Sequence, residues 1–303
     1  MTTSTPIQFA DNDLDWELIR NTIIQGMPEH AYHELPLASA SQLKTLHRAT
    51  PMHLMHWLDS PKDTAAFRIG RALHCAVLQP SEFRGNFAVA PEVDKRSNAN
   101  KEIHDVFEAD LRPRTTVLSP KQARLVGELG NAVLNHHLAT QMLDTCTERE
   151  VTIFAEINGV KCKSRIDAMS PDGHVFMDLK TTGSLASTTE MEREIWKFGY
   201  GLQMCMYREM VRAVGRDPKC ISIVAVEKSA PHGVACFVIE EEVLDMHVPL
   251  MNRLLSKWQQ TIDKGDAPGW EQDEFIQLGV PAWAQNELEQ ECFNITNTQE
   301  VLQ

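Results

Sequence analysis

From Glu150 to Lys180 the chain leaves helical periodicity and alternates apolar with polar residues, and two dipeptides, Asn158-Gly159 and Asp172-Gly173, punctuate the alternation. Such dipeptides favour two-residue primed turns, because those turns need positive φ at both central positions. The pattern predicts three antiparallel strands in a meander, and each turn sets a register. Counting outward, Pro171 faces His174, Asp167 faces Asp178 and Arg165 faces Lys180; across the first turn Glu150 faces Asp167. Opposed residues have Cβ atoms about 5 Å apart, so Glu150, Asp167 and Asp178 make a row of carboxylates across three strands. Val151, Ile153, Ile166, Ala168, Met177 and Leu179 fall on the other side and are expected to form one core face. A slip of one residue would send that apolar set to solvent.

Helices are predicted on both sides of the meander. Ser39 or Ser41 suits an N-cap, Pro51 opens the next helix, and "AAFRIGRALHCAVLQP" carries an apolar stripe that ends at Pro80. A helix around 100–111, a strong one from Ser119 with Pro120 at its first position, and a long one over roughly 189–214 follow. Two strands, "CISIVAVEK" and "GVACFVIEE", and a helix from about 241 to 263 close the folded body.

Charge divides the chain further. The formal net charge is −13, yet residues 1–34 hold six acids and one Arg, and everything after Lys264 holds eight acids and no Lys or Arg. The expected organisation is an acidic N-terminal arm (1–34), a folded domain (35–265) of balanced charge and an acidic C-terminal tail (266–303). A neutral body with basic clusters such as Lys95, Arg96, Lys101 and Arg112, Arg114, Lys121, Arg124 leaves a phosphate-bearing partner open. The clusters would equally suit a solvated face of mixed charge. Seven scattered cysteines without a C-x-x-C pair argue against a disulfide framework and against zinc or iron-sulfur sites. No apolar run is long enough to span a bilayer and no signal sequence is evident, so a cytoplasmic protein with no membrane partner is expected.

Like charges opposed on a sheet repel, and a bound divalent cation is the simplest relief; hard oxygen donors without Cys favour Mg²⁺, with Mn²⁺ as a substitute. Lys180 follows Asp178 by two and shares its strand face, where its ammonium could orient or help deprotonate a water attacking phosphorus. Removing Asp167 or Asp178 is then expected to leave the metal-free fold as stable or slightly more so. The same pattern would also suit an exposed, salt-bridged sheet in which Arg165, Lys163 and Lys180 pair with the acids.

Asp167, ten residues, then Asp178-Leu179-Lys180 resembles the PD-(D/E)XK nuclease signature, with Ile166 in place of the Pro. "FRIGRALHCAVLQP" with His74, "REVTIFAEINGVKCKSRIDAM" with Glu150 and Arg165, and "YGLQMCMYREM" with Gln203 and Tyr207 resemble, in order, the blocks of RecB-like nucleases. With "SASQLKTLHRATPMHLMHWL" at the start, the set is most similar to RecE-type exodeoxyribonuclease VIII domains over roughly residues 36–260. That resemblance implies an α/β fold with a central mixed β-sheet, an antiparallel meander and flanking helices. It implies an enzyme that degrades linear double-stranded DNA from 5′ ends in recombination, as a ring-shaped homo-oligomer beside a single-strand annealing protein. It implies His74, Asp167, Asp178 and the Leu179 carbonyl as metal ligands, Lys180 serving the water, Gln203 and Tyr207 positioning Lys180 or the DNA end, and Glu150 as a supporting acid. Arg71, Lys163 and Arg165 are the expected cationic contacts to DNA. Two other functions fit the same pattern: a catalytically silent DNA-end or partner-binding module, and an endonuclease or single-strand nuclease of the superfamily.

Overall fold

The computed structural model describes residues 15–60, 63–93, 96–265, 267–270, 274–281, 284–286 and 289–290. In chain order, α1 (Trp16–Ile19), β1 (Thr22–Ile24), α2 (Glu29–Glu34), α3 (Ala40–Arg48), α4 (Pro51–Asp59) and α5 (Ala65–Leu78) come first. Then follow α6 (Phe83–Asn86), β2 (Phe87–Val89), α7 (Asn98–Ala109), β3 (Thr116–Leu118), α8 (Pro120–Leu134) and α9 (His137–Thr145). The meander is β4 (Glu148–Ile157), β5 (Val160–Met169) and β6 (Val175–Thr182). After it, α10 (Thr188–Phe198) and α11 (Tyr200–Ala213) cross to β7 (Cys220–Glu227), β8 (Val234–Val238) and α12 (Glu241–Lys264). The chain divides into two units, residues 1–267 and 268–303.

The expected mixed sheet forms, in the order β1-β4-β5-β6-β7-β8. All its pairings are antiparallel except β6 with β7, which is parallel because a helical crossover, α10 and α11, separates the two strands. Asn158 and Gly159 have φ of 52° and 78° and hold Ile157 opposite Val160, as their sequence dictates. The second reversal differs. Only Gly173 has positive φ; the Gly173 N–H donates to the Ser170 carbonyl and the Ser170 N–H to the Val175 carbonyl, closing a four-residue loop. The register is the one expected for a two-residue turn all the same, since Ala168 pairs with Met177 and Met169 with Phe176.

One expectation is corrected. The apolar residues of the meander do not share a single face. Val151, Ile153 and Ile166 join a core with α3, α11 and α12, whereas Ala168, Met177 and Leu179 join a second core with α5, α8 and α9. The alternation slips between Ile166 and Ala168, next to Glu150, whose φ is 49° within β4. The sheet is therefore covered on both faces, which is why β7 reads as an almost unbroken buried run.

Helix ends follow their local chemistry. Ser39 with Gln42 and Ser119 with Gln122 form capping boxes, and Pro51 and Pro120 start their helices. The long helix expected over 189–214 is broken by Gly199, whose φ of 65° ends α10 and caps α11. The strong helix from Ser119 is likewise interrupted, at Asn135 and His136.

Residues 16–34, expected as part of an acidic arm, add β1 to the sheet edge, and Trp16, Ile19, Met27 and Tyr32 pack with Phe154. Residues 1–14, the expected basic residue Lys95, and much of the tail lie outside the described residues. Among the described residues no helix is long and apolar enough to cross a membrane, and the six described cysteines are free thiols.

Candidate active site

The pairs Arg149↔Ala168 and Val151↔Ile166 set Glu150 across from Asp167, and the register of β5 with β6 sets Asp167 across from Asp178. Backbone pairing of β5 with β6 stops at Ala168↔Met177, however, while β6 stays paired with β7 along all eight residues. The carboxylate of Asp167 takes the place of the missing strand partner: its Oδ2 accepts the Leu179 N–H at 2.7 Å. The site occupies this opening between two strands, with α5 on one side and α11 on the other.

From α5, His74 reaches in with Nδ1 3.4 Å from Asp167 Oδ1 and Nε2 2.7 Å from the Leu179 carbonyl. Arg165 Nε donates to Glu150 Oε2 at 2.6 Å. Lys180 pairs with Asp178 Oδ2, and Gln203 Nε2 donates to Asp178 Oδ1 at 2.9 Å and to the Tyr207 hydroxyl at 3.1 Å. Gln203 and Tyr207 stand one turn apart on the same face of α11. The acids are enclosed, Asp178 being 1% exposed, so an exposed salt-bridged sheet does not describe them. Each instead has a positively charged neighbour: His74, Arg165 or Lys180.

The electrostatics follow from burial and proximity. Burial pulls the His74 imidazole down, but the Asp167 carboxylate and then Glu150 outweigh it and hold His74 at about 9. Burial opposes ionisation of Asp167, yet His74, Lys180 and the Leu179 N–H hold its carboxyl below the usual range. Asp178 is raised by burial, against Lys180, with Asp167 adding repulsion. Lys180 is raised because Asp178 and Asp167 overcome its own desolvation. Its ammonium is thereby held against the two carboxylates.

One nitrogen of His74 and one oxygen each of Glu150 and Asp167 lie within 4.8 Å of one another. An imidazole with hard carboxylate oxygens and no thiolate fits a divalent cation of the Mg²⁺ or Mn²⁺ type. Asp178 and the Leu179 carbonyl, also expected as ligands, border this group but are taken by other partners: Asp178 by Lys180 and Gln203, the carbonyl by His74.

Of the expected DNA contacts, Arg165 is committed to Glu150, and Arg71 lies at the surface near Asp63, Glu29 and Thr116. Lys163 is corrected outright. It is buried, and its ammonium donates to the carbonyls of Tyr32, His33 and Leu35 at 2.6, 3.3 and 2.7 Å, which leaves nothing for a phosphate. Two residues had no predicted role. Lys44 of α3 donates to Gln203 Oε1 at 2.8 Å, and burial followed by the nearby Lys180 charge lowers it to about 7. Tyr200 lies beneath both Lys44 and Lys180, its ring centroid 5.8 and 5.2 Å from their nitrogens. The available signal for Lys44 was its i,i+4 spacing to Arg48 on a helix otherwise packed through Leu43 and Leu46.

A split strand pair with acids on adjacent strands, a lysine two residues after the second acid and helices on both faces defines a PD-(D/E)XK-type α/β protein. The chain belongs to the family of PDDEXK-like domains of unknown function (DUF3799), whose profile matches residues 39–277. A candidate exonuclease from Eubacterium rectale shares the fold, with TM-score 0.59 and 12% identity over 83% of this chain and 92% of that one. A phage-related exonuclease from Haemophilus somnus 129PT aligns with TM-score 0.30 and 16% identity over 57% of this chain and 92% of that one, too loosely to carry an argument. No protein of curated function matches the chain by sequence.

Proposed function

We propose that the chain is a metal-dependent exodeoxyribonuclease that hydrolyses linear double-stranded DNA from its 5′ ends. The observation that carries this reading is the convergence of His74, Glu150 and Asp167 beside the Asp178–Lys180 pair at the opening between β5 and β6. The sequence resemblance to RecE-type exodeoxyribonucleases supports the choice of the 5′ end, and a protein of the same fold from Eubacterium rectale is described as a candidate exonuclease.

His74, Glu150 and Asp167 would hold the cation, with Asp178 and the Leu179 carbonyl at its margin. Bound there, a divalent ion would supply a lowered pKa for a water and offset charge growing on the phosphate oxygens. The chain's own residues do the rest. Lys180 stays protonated beside Asp178 and donates toward the attacking water or a phosphate oxygen. Gln203, gripped by Lys44, fixes the rotamer of Asp178, and Tyr207 fixes Gln203. Arg165 orients Glu150.

On this reading the ends of linear duplex DNA are the substrate, in cytoplasmic recombination. A ring of identical subunits and a single-strand annealing protein are the partners that the resemblance implies.

The test is incubation with linear and covalently closed duplex in Mg²⁺ or Mn²⁺. Loss of linear DNA only, with label released first from the 5′ end, is expected; Lys180→Ala should keep metal binding and lose turnover. Nicking of closed circles would replace this reading with an endonuclease. Inertness of the folded, metal-loaded protein toward every DNA would overturn it.

A further inference from the structure

The turn joining α10 to α11 carries aromatic side chains with no part in holding the acids. Trp196 is 60% exposed and Phe198 36% exposed. Trp196 is fixed from behind: its ring stacks on His247 of α12 with centroids 5.0 Å apart and planes inclined by 24°. His247 is itself buried, its Nδ1 2.7 Å from the Val243 carbonyl and its ring against Gly201, where a Cβ would meet it at 2.5 Å. Trp196 thus has one face held and the rest of the ring in solvent.

Phe198 lies on a path that begins at the catalytic lysine. Lys180 stands over the Tyr200 ring, and the Phe198 ring is centred 5.7 Å from that of Tyr200. Arg48 and Lys197 stand over Phe198 at 6.0 and 5.3 Å. The Arg48 guanidinium also donates to the Lys197 carbonyl, which ties α3 to the end of α10.

An exposed Trp196 ring beside a Phe198 ring that Arg48 and Lys197 approach matches what unpaired nucleotides offer, a π-face on each base and a negative charge on each phosphate. Bases in a duplex are already stacked and present only their edges in the grooves. The geometry points to a stacking site for single-stranded DNA on the α10–α11 turn, where Phe198 and Trp196 take bases and Arg48 and Lys197 take the adjoining phosphates. Residues two apart on a helix do not face each other, so the rings are two separate stacking points rather than one plane. The site deepens the nuclease reading above and rests on it for the strand's destination at Lys180.

The test needs no cleavage. A fluorescein-labelled oligothymidylate of about ten nucleotides, a length within the range single-strand sites accommodate, is titrated into the full chain in EDTA and followed by anisotropy. Phe198→Ala and Trp196→Ala should each weaken binding by about 5- to 100-fold, while binding of a closed hairpin duplex changes little. Arg48→Gln should lower the slope of log affinity against log salt by about 0.7. Circular dichroism confirms each fold, and Phe198→Leu and Trp196→Phe serve if an alanine variant is unfolded.

If the protein cuts no DNA but these losses appear, the stacking site stands and the nuclease reading falls. If it cuts linear DNA but the folded ring variants bind the oligothymidylate as the parent does, the stacking site is overturned and the rings are left for a protein partner.

Discussion

Asp178 reverses a sign that its sequence position suggests. A row of opposed acids implies that deleting one relieves repulsion and leaves the metal-free fold as stable or more so. In the structure Asp178 is buried between Lys180 and Gln203 and accepts from both. Breaking a buried ion pair from one side leaves the other charge without compensation, at a cost of about 3 kcal/mol or more. Asp178→Ala should therefore be destabilised by about that amount in urea denaturation with EDTA, and the double variant with Lys180→Met should recover part of the loss. His74 gives a pH-dependent counterpart. Its folded value of about 9 lies above the ordinary 6.5. Its contribution is then fully present below about pH 6.5 and is lost as pH rises through 9. Thermal melts in EDTA should show that decline, and His74→Ala should flatten it. Since a histidine must be neutral to ligate, metal binding should release a proton over the same window.

Lys163 shows how an element can be held by a residue that reads as a ligand contact. The last carbonyls of a short helix lack intrahelical partners, and Lys163, projecting from β5, accommodates three of them around the end of α2. Burial pushes this ammonium down to about 7, and only its protonated form has a donor for each of the three carbonyls. Lys163→Met should cost about 2 kcal/mol and expose the amides near residues 32–35 to faster hydrogen exchange, while leaving DNA affinity unchanged. Nothing in the sequence marks this role, because the carbonyls come from a segment 128 to 131 residues earlier. The register of the meander was legible, by contrast, because Asn-Gly and Asp-Gly act locally and the apolar alternation penalises a slip. Even the second loop, which has a different shape, preserves it. The exchange of core faces beyond Ile166 and the parting of β5 from β6 were not legible. They depend on positive φ at Glu150, a residue type that rarely adopts it, and on a side chain replacing a strand's hydrogen bond. The chemistry of His74, Gln203 and Tyr207 came through the ordered blocks. Lys44 and Tyr200 needed the packing of α3 against α11 to become visible.

At the scale of the molecule, the charge distribution makes a prediction that the site does not. The formal charge of −13 sits at the two ends, and residues 268–303, a unit separate from residues 1–267, contribute seven acids and no base. If the protein takes DNA as proposed, a polyanionic segment on it works against association with that polyanion wherever it sits, through long-range repulsion that acts on the rate of encounter. The proposed catalytic and stacking residues all lie within residues 44–207, and His247 behind Trp196 also precedes the tail. Deleting 268–303 moves the formal charge from −13 to −6, since seven acids go and no base does. The truncated chain should retain turnover on linear duplex and associate with DNA faster at low salt. The difference should shrink as salt brings the Debye length from about 30 Å at 0.01 M toward about 8 Å at 0.15 M. Stopped-flow binding across that range, alongside initial cleavage rates, checks both halves. A folded truncation without turnover would give the tail a part in catalysis, and an association rate unmoved at low salt would mean that its charge is already neutralised within the protein.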